Sequence, residues 1–289
     1  MLNQFLQLIV PSLVMGSQTA VLALGFAIAY WPSRQVNFAF GGMYVISAYL
    51  TWEFNKAGLA LIIATAVVAV IVIVLQVSIP VLLYNPIKSE TSVFLASFGV
   101  FILIEYVVEA VFSANPLFFQ VPSGQLTQTS LGLFGGASQL DVISVVIGVV
   151  AFLAVWLFLK RTRPGKQVRA IVADPFMAEA AGVSIRSTTM ICYAIGGVLV
   201  TVAGVFAAYR YGLTPTIGET PVFYALNATL VGGRGNILGA GVAGFAIGVV
   251  VTLCSVIIPT QWAEALAFGL LFVALVIRPS GLFRSLAWT

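Results

Sequence analysis

The sequence predicts an all-α, polytopic transmembrane helical bundle of eight or nine spans, and three observations carry that reading. Hydrophobic residues make up 61% of the 289-residue chain and charged residues 8%, against roughly 25% charged in a soluble domain. The polar shell that a water-facing core needs is therefore missing. Ala57–Ile87 and Val142–Leu159 are long, uncharged apolar stretches. Membrane barrels instead alternate apolar and polar residues, and in lipid only helices and closed barrels satisfy their own backbone hydrogen bonds. Finally, the basic residues fall between the apolar runs so that nearly all share one face of the membrane.

A span needs roughly 20 apolar residues. In chain order the candidates are Phe5–Trp31, Val36–Trp52, Ala57–Ile87, Thr91–Phe112 (interrupted by Glu105 and Glu109), Val142–Leu159, Ser187–Tyr209 and Asn236–Ile258, with Thr220–Gly233 and Trp262–Ile277 shorter. The first reads as a retained span, because Met1–Val10 has no basic residue and no cleavage pattern follows. Val36–Trp52 and Thr220–Gly233 each carry a glycine pair and an asparagine: Gly41, Gly42 and Asn37, then Gly232, Gly233 and Asn227. Irregular backbone at membrane depth survives only beside protein or a water-filled path, so these two are candidate half-helices. The Gly244/Gly248 spacing in Asn236–Ile258 reads as close helix packing.

If all nine segments cross, one face receives Arg34, Lys88, Lys160, Arg161, Arg163, Lys166, Arg169, Arg186, Arg234, Arg278 and Arg284, and the other only Lys56 and Arg210. The positive-inside rule then places the N-terminus outside and the C-terminus in the cytoplasm. The outer segment Ser113–Leu140, uncharged and rich in Ser, Thr, Gln, Gly and Pro, is expected over the outer mouth. The chain reads as one transmembrane domain, 1–289, with a cytoplasmic loop at 160–186 that holds six of the 13 basic residues.

Several functions are excluded. The chain has no histidine, and its two cysteines, Cys192 and Cys254, lie in apolar runs as small hydrophobes. No metal, haem or iron–sulfur site and no histidine-based catalytic residue is therefore expected. Glycine-rich Val231–Gly235 lacks the Lys-Ser/Thr of a P-loop, so the chain is not expected to hydrolyse ATP or to be an enzyme. The net charge of +4 follows from the inside bias and gives no reason to invoke nucleic acid.

The loop KRTRPGKQVRAIVADPFMAEAAGVSIR carries a helix signal. Asp174 is a good N-cap, Pro175 suits the first helical position, and Gly182 is placed to end the helix in a left-handed turn. A helix of about two turns is marginal in water unless something packs on it. Phe176 and Met177 leave apolar side chains at its start. Two readings are open: a cytoplasmic partner with a groove, or an interfacial helix resting on lipid headgroups.

Four stretches resemble, in order, the branched-chain amino acid permease family of bacterial ABC importers, in its shorter LivH type. They are Val36-Asn37-Phe38-Ala39-Phe40-Gly41-Gly42, Gly165-Lys166-Gln167-Val168-Arg169-Ala170 with Ala178, Ala181, Gly182 and Val183, Val231 to Ala240, and Arg278-Pro279-Ser280-Gly281-Leu282-Phe283. Phe40 stands where the family pattern carries histidine, and Glu105–Glu109 matches no family feature. The resemblance implies a fold like that of type II ABC importers. It also implies that Asp174, Pro175, Phe176, Met177, Ala178, Glu179, Ala181 and Gly182, with Gly165, Arg169 and Ala170, couple the chain to an ATPase. The implied partners are a second, LivM-like permease subunit, two cytoplasmic ATPase subunits that bind the ATP, and a periplasmic solute-binding protein. The implied setting is the bacterial inner membrane and its lipid, and the implied cargo a branched-chain or similar amino acid, with urea, short amides and small carboxylates also served by related permeases.

Glu105 and Glu109 lie one turn apart on one helix face. Glu105 either lines the solute path or pairs with a cation, or both reach interfacial water. Asn37 and Phe38, with Gly41 and Gly42, line the path as part of a broken helix, or Asn37 caps the second span. The rival function is a stand-alone secondary transporter, for which paired broken helices and coupling-ion ligands are the expected marks.

Overall fold

Ten helices appear in a computed structural model that describes residues 7–84, 86–87, 89–119, 129–130, 136–233, 235–255 and scattered positions between 262 and 276, with residue 234 outside them. They are α1 (Ile9–Ser33), α2 (Ala39–Lys56), α3 (Leu61–Ile79), α4 (Glu90–Phe112), α5 (Gln139–Arg161), α6 (Arg163–Ala173), α7 (Pro175–Ala180), α8 (Ile185–Tyr211), α9 (Glu219–Val231) and α10 (Ile237–Cys254). Pro80 cannot donate to α3's hydrogen-bond ladder, and α3 continues as one π-helical turn, Pro80–Tyr84. A two-residue antiparallel pairing joins Thr129–Ser130 to Gly136–Ala137.

Among the described residues, six helices are long and apolar enough to cross a membrane: α1, α3 with its π turn, α4, α5, α8 and α10. Most of Val36–Trp52 belongs to a continuous 18-residue helix that runs on to Lys56, not to a half-helix. Thr220–Gly233 does hold a short one, 13 residues in α9, or about 20 Å of rise. Most of the Trp262–Ile277 candidate, the Arg278–Phe283 motif and half of Ser113–Leu140 lie outside the described residues. Burial sorts the spans. The most apolar 18 residues of α1 are 83% buried and those of α8 61%, against 22% for α3 and 28% each for α4 and α5. The exposed residues of α3–α5 are themselves apolar, such as Ile62, Val70, Leu95, Leu103 and Val149, and lipid is the solvent that suits them.

The chain folds as two compact units. In the first, α1 up to Leu24 packs on α10. A Cβ at Gly244 would meet Ala23 at 2.8 Å, and one at Gly248 would meet Gly16 at 2.7 Å, so the small-residue spacing read from the sequence is a backbone-to-backbone seam. Tyr224, Ala228, Val231, Ala243, Ile247 and Val251 complete a buried cluster with Ala23. The Val231–Ala240 stretch is the turn between α9 and α10. Gly233 and Gly235 take positive φ of 103° and 75°, and Asn236 caps α10 by accepting from Gly239 N at 2.8 Å.

The second unit contains α2, α3, α4, α6, α7 and α8, with Gly25–Ser33 of α1, Leu157–Arg161 of α5 and the start of α9. Its core is built on α8. A Cβ at Gly197 would meet Ile73 of α3 at 3.3 Å; at Gly196, Gly25 O of α1 at 2.9 Å; and at Gly204, Tyr44 O of α2 at 2.6 Å. At one end, Leu117 pairs with Leu213, Phe119 stacks on Tyr209 at 3.9 Å, and Trp52 Nε1 donates to Phe118 O at 3.1 Å. The ends of α2 and α8 and the chain leaving α4 therefore meet there. The opposite end gathers the ends of α1 and α3 with the start of α8, so Ser33 and Gln35, on either side of Arg34, share a cavity with Glu179 and Arg186.

Replacing Gly204 tests this seam. Gly204→Val is expected to lower stability by roughly 1–3 kcal/mol through overpacking, read as a lower Tm in detergent. Gly99→Ala, where a Cβ meets nothing within 4 Å, should not lower Tm, because alanine is the better helix former.

Candidate functional site

The loop between α5 and α8 is the most specifically built polar segment of the second unit. Thr162 accepts from Gly165 N at 3.0 Å and Pro164 occupies the first turn, so α6 starts immediately after α5 ends. Gly165 permits that tight passage: a Cβ there would run into Phe158 O and lie 2.7 Å from Leu159 Cα. Val168 and Ile171 are buried beneath α6, while Arg169 and Ala170 are half-buried on its sides. The Thr162–Pro164 pair marks this helix, and the sequence reading, which began the loop helix at Asp174, passed over it.

Asp174 ends α6 and starts α7. Its Oδ1 accepts from Phe176 N at 2.9 Å and Met177 N at 3.1 Å, with Pro175 in the first turn. At the other end, Gly182 N donates to Glu179 O at 2.9 Å and Val183 N to Ala178 O at 3.0 Å. These two bonds form a Schellman motif, and Gly182 takes the left-handed φ of 82° that it needs. The six-residue helix is thus closed at both ends by its own residues, as Asp174, Pro175 and Gly182 predicted. Ala178 is buried against the unit, whereas Phe176 is 77% exposed and Met177 64% exposed. Glu179 and Ala181 are also exposed. Ser184 then caps α8 by accepting from Ser187 N at 3.3 Å, and Thr188 Oγ1 donates to Gln167 Oε1 at 3.3 Å, tying α8 to α6.

Beside this loop opens a cavity of about 490 Å³, walled by the end of α1, the end of α3 with its π turn, Glu179 of α7 and the first two turns of α8. Tyr84, on its wall, donates to Asn37 Oδ1 at 3.0 Å. The same oxygen accepts from Ala39 N at 3.1 Å, so Asn37 serves the start of α2 as a cap. Asn37 Nδ2 is buried with no partner among the described residues.

The other sequence-predicted path residues sit in helix packing. Phe38 N donates to Ser97 Oγ at 3.0 Å, and its ring meets Phe94 and Phe98 edge-on at 5.3 and 5.7 Å. Gly41 and Gly42 admit Phe101 and Ile104 of α4, which a Cβ would meet at 2.9 and 2.6 Å. Phe40 is buried, edge-on to Phe26 at 5.6 Å. Glu105 is half-buried, with Oε1 enclosed and unpartnered among the described residues, and Glu219 lies close enough to act on it electrostatically. Glu109, one turn on, is exposed. The predicted loop residues from Gly165 to Gly182 are therefore brought together, whereas Glu105 stands apart from Asn37 and Phe38 toward the other end of α4.

Comparison with known proteins gives one consistent answer. The family model described as branched-chain amino acid transport system / permease component matches residues 8–275. The chain is similar to the high-affinity branched-chain amino acid transport system permease protein LivH of Salmonella typhimurium, 26% identical over 96% of this chain and 95% of that protein. It is similar to permease protein BraD of Pseudomonas aeruginosa, 27% identical over 96% of this chain and 95% of that one. A xylose transport system permease protein, XylH of Haemophilus influenzae, is 30% identical over a shorter stretch, 47% of this chain and 38% of that one. No solved structure matches.

The cap geometry makes a local prediction. Asp174→Ala should destabilise the loop helix by about 1 kcal/mol, seen as faster hydrogen exchange at the amides of Phe176 and Met177. Asp174→Asn, which keeps the acceptor, should exchange near the wild-type rate.

Proposed function

We propose, from the premise that this chain belongs to the branched-chain amino acid transport system permease component family, that it forms half of a translocation channel for branched-chain or similarly apolar amino acids. Two ATPase subunits on the cytoplasmic face drive the channel between outward- and inward-open states and bind the ATP, so this chain needs no cofactor of its own. A second, LivM-like permease completes the channel, and a periplasmic solute-binding protein delivers the cargo. The named cargo of the LivH and BraD relatives, matched along nearly their whole length, supports the amino-acid reading.

One observation carries the coupling role. A helix of six residues has too few internal hydrogen bonds to persist alone. This one is locked by Asp174 and Gly182 and yet holds Phe176 and Met177 out in solvent at its tip. An apolar tip on a rigid, doubly capped post suits a groove on a moving partner. The basic residues around it, Arg163, Lys166 and Arg186, favour a cytoplasmic setting for this end, with the N-terminus then periplasmic. Closure of the ATPases pushes on α7, and α6 and the start of α8 carry the displacement into the bundle through Gly165 and Thr188. In the membrane, Asn37 borders the path beside the cavity, and Glu105, with an enclosed carboxylate oxygen, meets it farther along α4.

The assembled complex tests this reading. The chain should co-purify with an ATPase whose activity rises when the binding protein is added, and uptake into liposomes should require ATP. Phe176→Asp together with Met177→Asp should leave the chain in the membrane and abolish stimulated uptake. Robust uptake by this polypeptide alone without nucleotide would falsify the importer reading and favour a secondary transporter. Glu105→Gln should lower the uptake rate or alter solute preference; an unchanged rate and preference removes Glu105 from the path.

A further inference from the structure

We propose that the cavity beside α7 binds a small zwitterion with an apolar body on the inner side of the chain, making it a site for the imported amino acid after release. The identity of the ligand rests on the function proposed above, whereas the chemistry of the cavity stands on its own. The volume of about 490 Å³ falls within the range of small-molecule sites, roughly 300–1,000 Å³. Val77 and Val81 supply an apolar wall, and Glu179 and Arg186 bring one charge of each sign to the same lining. These two form no ion pair among the described residues, so each is available to an opposite charge on a ligand. Thr189 adds a hydroxyl that is buried and unpartnered among the described residues. A buried hydroxyl left unmatched is destabilising, and a ligand oxygen or ammonium would match it.

A carboxylate reaching Arg186, an ammonium reaching Glu179 and an aliphatic chain against Val77 and Val81 would use both charges and the apolar wall. A monovalent acid or amine would satisfy only one of the charges. Glu179 belongs to the same helix as Phe176 and Met177, so an occupied cavity restrains the element proposed to meet the ATPase. The site therefore suits inhibition by accumulated product.

The test uses the full chain in vesicles, with Cys254→Ser and the reporter Met190→Cys on the cavity lining; Cys192 is fully buried and silent. L-leucine should slow maleimide alkylation of the reporter, and neither 4-methylpentanoate nor 3-methylbutylamine should do so at equal concentration. Arg186→Ala and Glu179→Gln should each raise the half-protecting concentration by about tenfold, the loss expected for one charge-assisted hydrogen bond. Should the reporter disturb folding, a leucine-dependent rise in Tm of the unsubstituted chain, lost in Arg186→Ala, reads the same event. Alkylation indifferent to leucine, equal protection by the single-charge analogues, or protection that follows the phosphatidylethanolamine content of the vesicles overturns the proposal. None of these readouts needs an ATPase. Their failure leaves the importer reading standing on its uptake test, and failure of that test leaves protection by leucine readable.

Discussion

Close backbone approach at glycine is the constraint on which this structure depends. In lipid the apolar surface of one helix gains little by leaving the solvent for another, so association relies on packing and on the few polar contacts available. Here α8 brings Gly196, Gly197 and Gly204 to three neighbours, and α10 brings Gly244 and Gly248 to α1. Each glycine removes the one atom that would hold two backbones apart. With the bundle held by such seams, charge is left to the ends, where the basic loop and its capped helix stand clear of the core. A closely packed lever with an exposed tip follows from that division.

Composition made the helical class legible, because lipid admits few alternatives for so uncharged a chain. The loop helix was legible for a different reason. Asp174, Pro175 and Gly182 act on their own backbone, so their meaning needs no tertiary context. The errors lie where context decides. Gly41 and Gly42 read as a break in a helix, but they are the notch that admits Phe101 and Ile104, and a glycine pair has the same signature in both cases. Asn37 was balanced between cap and path lining, and its bonds to Ala39 and Tyr84 show a cap that also ties α2 to the π turn. The start of α6 was readable from Thr162 and Pro164, and it was missed because the basic residues around it read as a solvated loop. Phe40, in place of the family's histidine, is a buried ring against Phe26, so this position contributes packing instead of a polar group.

The inner end thus carries two distinct surfaces on one short segment. The tip of α7 offers Phe176 and Met177 outward, and Glu179 of the same helix lines a cavity shared with the first turns of α8. In the proposed scheme, force from a partner and occupancy by a solute would both bear on the same six residues. Product level and ATP-driven motion would then oppose each other without any long pathway between sites, since one rigid element serves both.

Photo-crosslinking from position 176 tests the central claim most directly. A benzophenone side chain in place of Phe176, irradiated in intact membranes of the producing cell, should form a covalent adduct with a nucleotide-hydrolysing subunit. Adducts with lipid alone, or a position 176 that reacts with membrane-impermeant reagents added outside the intact inner membrane, would contradict the account.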